Sequence, residues 1–140
     1  MKLGPPLLAS LLLFSGCYKD ELDVAALTNN PFDPDYSGPA VFVFDTTFVE
    51  TVDAFPPYQQ QVFRFTVRHD LFLADVGTYR VRVKDLDNGE VRELMQTAAG
   101  SHAIEFNKYD FTVGEQLCLE VAFISDLTEG RRETICGTLQ

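Results

Sequence analysis

From about residue 40 onward, apolar and polar side chains exchange places with a period of two, the mark of a strand with one face buried. The cleanest case is "QVFRFTVRH" (61–69), which sets Phe63, Phe65 and Val67 on one face and Arg64, Thr66 and Arg68 on the other. "AVFVFDTTFVE" predicts an earlier strand over 41–50. Pro56 and Pro57 interrupt the pattern after it, because proline has no N–H to give to a ladder. Further strands are predicted over 78–86, 102–106, 116–124 and 131–139, and no window carries a helical repeat of useful length. Short β-rich runs separated by turn signals predict an all-β fold, a single antiparallel sandwich of about seven strands.

Two hairpins can be read in more detail. In "GTYRVRVKDLDNGEVREL" the Asn88-Gly89 pair suits a two-residue type I′ turn. Placing it at the tip sets Asp85 opposite Arg92, Lys84 opposite Glu93 and Val83 opposite Leu94, two opposite-charge pairs and one apolar pair. In the last hairpin, alternation turns Leu117, Leu119, Val121, Phe123, Ile135 and Leu139 inward and Cys118 and Cys136 outward. A hairpin centred near Leu127 brings those cysteines opposite each other, within the Cβ separation of about 3.5–4.5 Å that a disulfide needs. The closed loop of about nineteen residues is worth about 3 kcal/mol in the chain-entropy account.

Phe111, Val113 and Gly114 ahead of an alternating strand resemble the turn that leads into strand F of fibronectin type III domains. Where that family carries a Tyr three places after the glycine, this chain has Leu117. Asp75-Val76-Gly77-Thr78-Tyr79 resembles the corresponding corner of immunoglobulin variable-type domains, but some sixty residues follow it, so 78–86 reads better as strand C. Either resemblance implies an immunoglobulin- or fibronectin III-like sandwich over 40–140.

The N-terminal segment has another character. Lys2 is followed by an apolar stretch from Leu3 to Phe14, too short to cross a bilayer, which needs roughly 20 residues, and suited to a secretory h-region. Phe14-Ser15-Gly16-Cys17 resembles the lipobox of bacterial lipoproteins, with Phe in the place usually held by Leu. The resemblance implies that 1–16 is a signal peptide, that cleavage precedes Cys17, and that Cys17 carries the lipid. Several acyl chains make a firm anchor, at about 0.8 kcal/mol per buried CH₂. Lys19-Asp20-Glu21 just after it resembles the surface-export signal of Bacteroidota lipoproteins, which implies display on the outer face of the outer membrane. Residues 17–39, rich in Pro, Asn and Asp towards their end, are expected to form the lipidated terminus and a flexible tether.

Composition narrows the chemistry. The chain of 140 residues has a net charge of −10, which speaks against nucleic acid as a partner. Two His and three Cys leave little material for a metal site or a nucleophile network. His69 and Asp70, adjacent on a strand, would point to opposite faces and form no dyad. No cofactor or catalytic residue is assigned, and the chain is expected not to be an enzyme. Arg64, Arg68, Arg80, Arg82 and Lys84 lie on strands expected to be neighbours, where they would form a basic stripe; the alternative is an ordinary wet strand face. With no Trp, sugar stacking would fall to Tyr58, Tyr79 or Tyr109. The expected role is a non-enzymatic, lipid-anchored envelope module for a protein or polymer partner. The alternatives are a glycan-binding lipoprotein of a nutrient-uptake system, which two exposed Tyr in a groove would favour, and a small hydrolase, which convergent carboxylates would favour.

Overall fold

The alternating stretches become seven strands: β1 (Phe42–Val52), β2 (Tyr58–Val67), β3 (Thr78–Asp85), β4 (Val91–Thr97), β5 (Ala103–Lys108), β6 (Gln116–Ile124) and β7 (Glu133–Thr138). The structure, a computed structural model, describes residues 29–72, 77–97 and 103–140. Antiparallel pairing gives two sheets, of order β1-β2-β5 and β4-β3-β6-β7. A 3₁₀ turn, His69–Leu71, leads away from β2. β4 pairs with β3 and not with the three-stranded sheet, so the two antiparallel sheets form a sandwich of three and four strands. Gly114, the glycine of the turn before β6, takes φ +87°, a conformation that side chains rarely adopt.

The core lies between the inner faces. Phe63, Phe65, Ile104 and Phe106 from one sheet meet Val81, Val83, Leu117, Leu119, Val121 and Phe123 from the other, all at or near zero exposure. Each such side chain gains roughly 1.5–3 kcal/mol on leaving water.

The first long hairpin is not as expected. Lys84 pairs with Val91, Val83 with Arg92, Arg82 with Glu93 and Val81 with Leu94, a shift of two residues from the register that a two-residue turn imposes. Asp85 is the cause. It is fully buried, its Oδ1 accepts the Asp87 N–H at 2.8 Å, and its Oδ2 lies 3.1 Å from Lys108 Nζ. Its backbone N–H donates to Glu90 O, and its carbonyl accepts the Gly89 N–H, both at 2.9 Å, closing a four-residue loop. Gly89 alone in this loop has positive φ, so a type I′ turn, which needs it at Asn88 as well, does not form. A shift of two leaves every side chain on its expected face.

Both flanks of the sandwich are closed by side chains. Between β1 and β7, the Glu133 carboxylate accepts the N–H groups of Val41 (2.9 Å) and Phe42 (3.0 Å), and the Thr47 hydroxyl donates to Thr138 O at 2.6 Å. Gly137 leaves room there for the Phe44 ring, which a Cβ at that position would push aside. Between β4 and β5, Arg92 donates to Asn107 O at 2.7 Å and lies 4.5 Å from the Phe106 ring centroid. Lys108 bridges to Asp85 and Asp87 at the same flank.

The expected tether departs most from expectation. Its residues 17–28 lie outside the described residues, but 31–39 are packed against the sandwich and do not hang free. Phe32 stacks on Phe123 with ring centroids 4.4 Å apart, and Tyr36 is buried beneath the Arg131 guanidinium at 4.7 Å. Arg131 also donates to the carbonyls of Tyr36 (3.1 Å), Gly38 (2.9 Å) and Pro39 (3.2 Å). Among the described residues, the packed body therefore extends back to Pro31. Proline and Asx turns, such as Asp35 N–H to Asp33 Oδ1 at 2.8 Å, suppress any strand pattern here, yet two aromatic anchors suffice to hold the strap. Glu133→Ala removes the acceptor of two part-buried N–H groups and should cost about 2–3 kcal/mol in urea unfolding. Limited proteolysis of the variant should cut first within 31–41; unchanged stability would mean that the clasp is idle.

Candidate binding face

Residues flagged in the sequence land in very different places. Cys17, Lys19, Asp20 and Glu21 lie outside the described residues. Cys118 and Cys136 are opposed on β6 and β7, with Cα atoms 4.1 Å apart, and are disulfide-bonded on the outer side of the four-stranded sheet.

The expected basic stripe is not formed. Arg64 and Arg68 belong to β2 or its end, in the three-stranded sheet, whereas Arg80, Arg82 and Lys84 are on β3 in the other sheet. The connection after β2 carries the chain across the sandwich, so the two groups look out from opposite sides. Acids then claim most of them: Arg64 pairs with Glu105 (2.7 Å), Arg68 with Asp70 (2.7 Å), Arg80 with Asp126 (2.6 Å) and Arg82 with Glu129 (2.8 Å). Of the five, Lys84 alone has no ion pair among the described residues.

On the four-stranded sheet Glu129 sits between Arg82 and Arg132, each at 2.8 Å. Partial burial pushes its carboxyl upward, but the Arg132 hydrogen bond and the Arg82 charge outweigh this and hold it below its ordinary 4.5. Asp70 is likewise held low, chiefly by its hydrogen bond to Arg68.

His69 and Asp70 form no dyad: Asp70 serves Arg68, and His69 Nε2 lies 2.9 Å from the Tyr79 hydroxyl. Tyr79 is 4% exposed and its hydroxyl is pushed up by burial, so it offers no ring face to a ligand. It lines a recess of about 350 Å³ with Phe32, Arg80, Met95 and Asp126, whose wall the Arg80–Asp126 pair spans. Among the described residues, no group of three or more His, Cys, Asp or Glu is placed to hold a metal ion.

The other two tyrosines come together. Pairing of Gln61 with Lys108 aligns the start of β2 with the end of β5; Tyr109 follows Lys108 and Tyr58 lies three residues before Gln61, which leaves their ring centroids 5.8 Å apart and their planes inclined by 59°. They remain 41% and 54% exposed, and Phe55 on the adjoining β1–β2 turn is fully exposed. Alternation along β2 puts Tyr58, Gln60, Val62 and Arg64 on the outer face together. Gln60 Nε2 donates to Glu50 Oε2 across the strands at 2.8 Å, and the Arg64 guanidinium lies 4.8 Å over the Phe48 ring. Val62, flanked in register by Phe48 and Asn107, is fully covered although it points away from the core. Sequence reasoning singled out neither Gln60 nor Glu50. Carrying the β2 alternation back past Gln61 would have found Gln60, but its cross-strand partner is a matter of register.

This cluster occupies one pole of the sandwich. β1 ends and β2 begins there, and Lys108 at the end of β5 meets Asp85 at the end of β3. The strap packs on Phe123 near the end of β6, beside the start of β1, at the opposite pole.

Scanned against known families, the chain matches no family model, and a search of curated proteins finds no match.

Two outcomes are expected of the four-stranded sheet. Glu129 has a depressed folded pKa, so its contribution is fully present above pH 4.5 and is lost as pH falls through the lower folded value. Glu129→Gln should therefore flatten the fall in unfolding free energy below pH 4.5, and a curve parallel to wild type would exclude this carboxylate from acid sensitivity. Reduction of the Cys118–Cys136 bridge, which closes a separation of 18 residues, should lower stability by up to about 3 kcal/mol in urea unfolding.

Proposed function

We propose that this chain is a lipid-anchored, non-enzymatic binding module of the bacterial cell envelope, displayed on the outer face of the outer membrane and holding a protein or polymer partner. The seam at Cys17 supports the anchor and Lys19-Asp20-Glu21 supports the surface display. The observation that carries the binding reading is polar separation within the body. The chain enters along one pole, through the Phe32–Tyr36 strap, and the exposed aromatic pair Tyr58–Tyr109 lies at the other. Anchored by its N-terminus, the molecule turns that pair away from the membrane.

The state of the carboxylates supports the non-enzymatic reading. A hydrolytic acid needs a raised pKa. Glu129 and Asp70 are instead held low by arginines, and Glu105, Asp126 and Glu133 are also engaged with arginines.

Radioactive palmitate should label the full chain in its host and spare Cys17→Ala; equal labelling of both would remove the anchor. In the same cells, replacing Lys19, Asp20 and Glu21 by Ala should leave the protein labelled but protected from external protease. Continued cleavage would remove the export signal.

A further inference from the structure

We infer that the outer face of β1-β2-β5 around Tyr58 and Tyr109 binds a neutral polysaccharide, a ligand class that rests on, and sharpens, the binding-module reading. Three features of the face point to this chemistry.

The first is the ring pair. A pyranose presents a face of C–H groups, and an aromatic side chain offers a large, stiff, apolar surface to it at low entropic cost, with a hydroxyl at its rim for hydrogen bonding. Tyr58 and Tyr109, inclined by 59° at 5.8 Å, make an angled seat open to solvent.

The second is what surrounds the rings. A protein interface is built around an apolar core, with about 800 Å² buried on each partner. Within the sheet the apolar neighbours are withdrawn: Val62 is fully covered, and Phe48 is half-buried with Arg64 over its ring, so the exposed apolar surface beside the rings is confined to Phe55 on the adjoining turn. The groups beside the rings on this face are planar and polar. Gln60 and Glu50 are joined at 2.8 Å, and Asn107 is one register step further along. The Gln60 amide, 5% exposed, fixes the exposed Glu50 carboxylate in place, and the remaining lone pairs of that carboxylate accept from neighbouring sugar hydroxyls.

The third is charge. The cation of this patch, Arg64, is bound to Glu105 by two of its nitrogens at 3.0 and 2.7 Å. Glu50 leaves the surroundings negative on a chain whose net charge is −10, so an anionic polymer is repelled and an uncharged one is not.

Native gels cast with an α-glucan, a β-glucan, a xylan, a galactomannan or the anionic alginate test the inference on the folded protein. At least one neutral polymer should retard the wild type, and alginate should not. Tyr58→Ala and Tyr109→Ala should each weaken binding at least about tenfold, as loss of an aromatic hot spot does. Tyr→Phe at either position should change it little, and Met95→Ala, at the other pole, not at all. Thermal unfolding of each variant separates loss of binding from loss of fold, and both tyrosines are exposed enough to be replaced. Retardation by no neutral polymer, or unchanged retardation of the double Ala variant, overturns the inference. A photo-crosslinking residue at position 58 in intact cells distinguishes the two readings. A protein adduct without polysaccharide binding overturns the saccharide and leaves the binding module; neither adduct nor retardation overturns both.

Discussion

Among the described residues the two sheets share no ladder, so the molecule depends on what closes the space between them. Interdigitated side chains such as Phe63, Phe65, Leu119 and Phe123 fill the middle, and burial is enough to hold them there. The flanks are harder, because backbone groups at a sheet edge need partners that the other sheet does not offer in register. This chain solves the two flanks differently. On one, a carboxylate from β7 takes two N–H groups at the start of β1. On the other, an arginine from β4 takes a carbonyl of β5 while its flat face lies on Phe106. A buried carboxylate, Asp85, is drawn into the second closure through Lys108.

Those closures shape the rest of the molecule. Asp85 holds its own loop as well as Lys108, and this double engagement shifts the neighbouring hairpin by two residues. Glu133 is held in turn by Arg131, which also clamps the strap, so flank and strap are fastened by one ionic pair. The segment that leads toward the proposed anchor is thereby joined to the body at a defined place.

Charge has the same economy. Most basic side chains on the outer faces are matched by acids brought in by loops or adjacent strands, Asp126 and Glu129 from the β6–β7 connection among them. The acidic excess is left spread over the surface, and the surface aromatics, not a field of one sign, give the binding face its character.

Strand positions, the buried faces of β2, β3 and β6, and the Cys118–Cys136 pairing were all legible in the chain, because each depends on alternation or on a short hairpin whose centre is local. A period of two states which side chains share a face. It does not state which strand lies alongside. Arg68 and Arg80, close in sequence, therefore end on opposite sides of the sandwich, while Tyr58 and Tyr109, far apart in sequence, become neighbours. The docking of Phe32 and Tyr36 was hidden for a related reason: an irregular strap has no period, and its anchors count only once the core has made room for them. Local pattern is written by each residue's own neighbours, but the choice among strand partners is made by the burial and closure of the whole sandwich, and no window of the chain carries that information by itself.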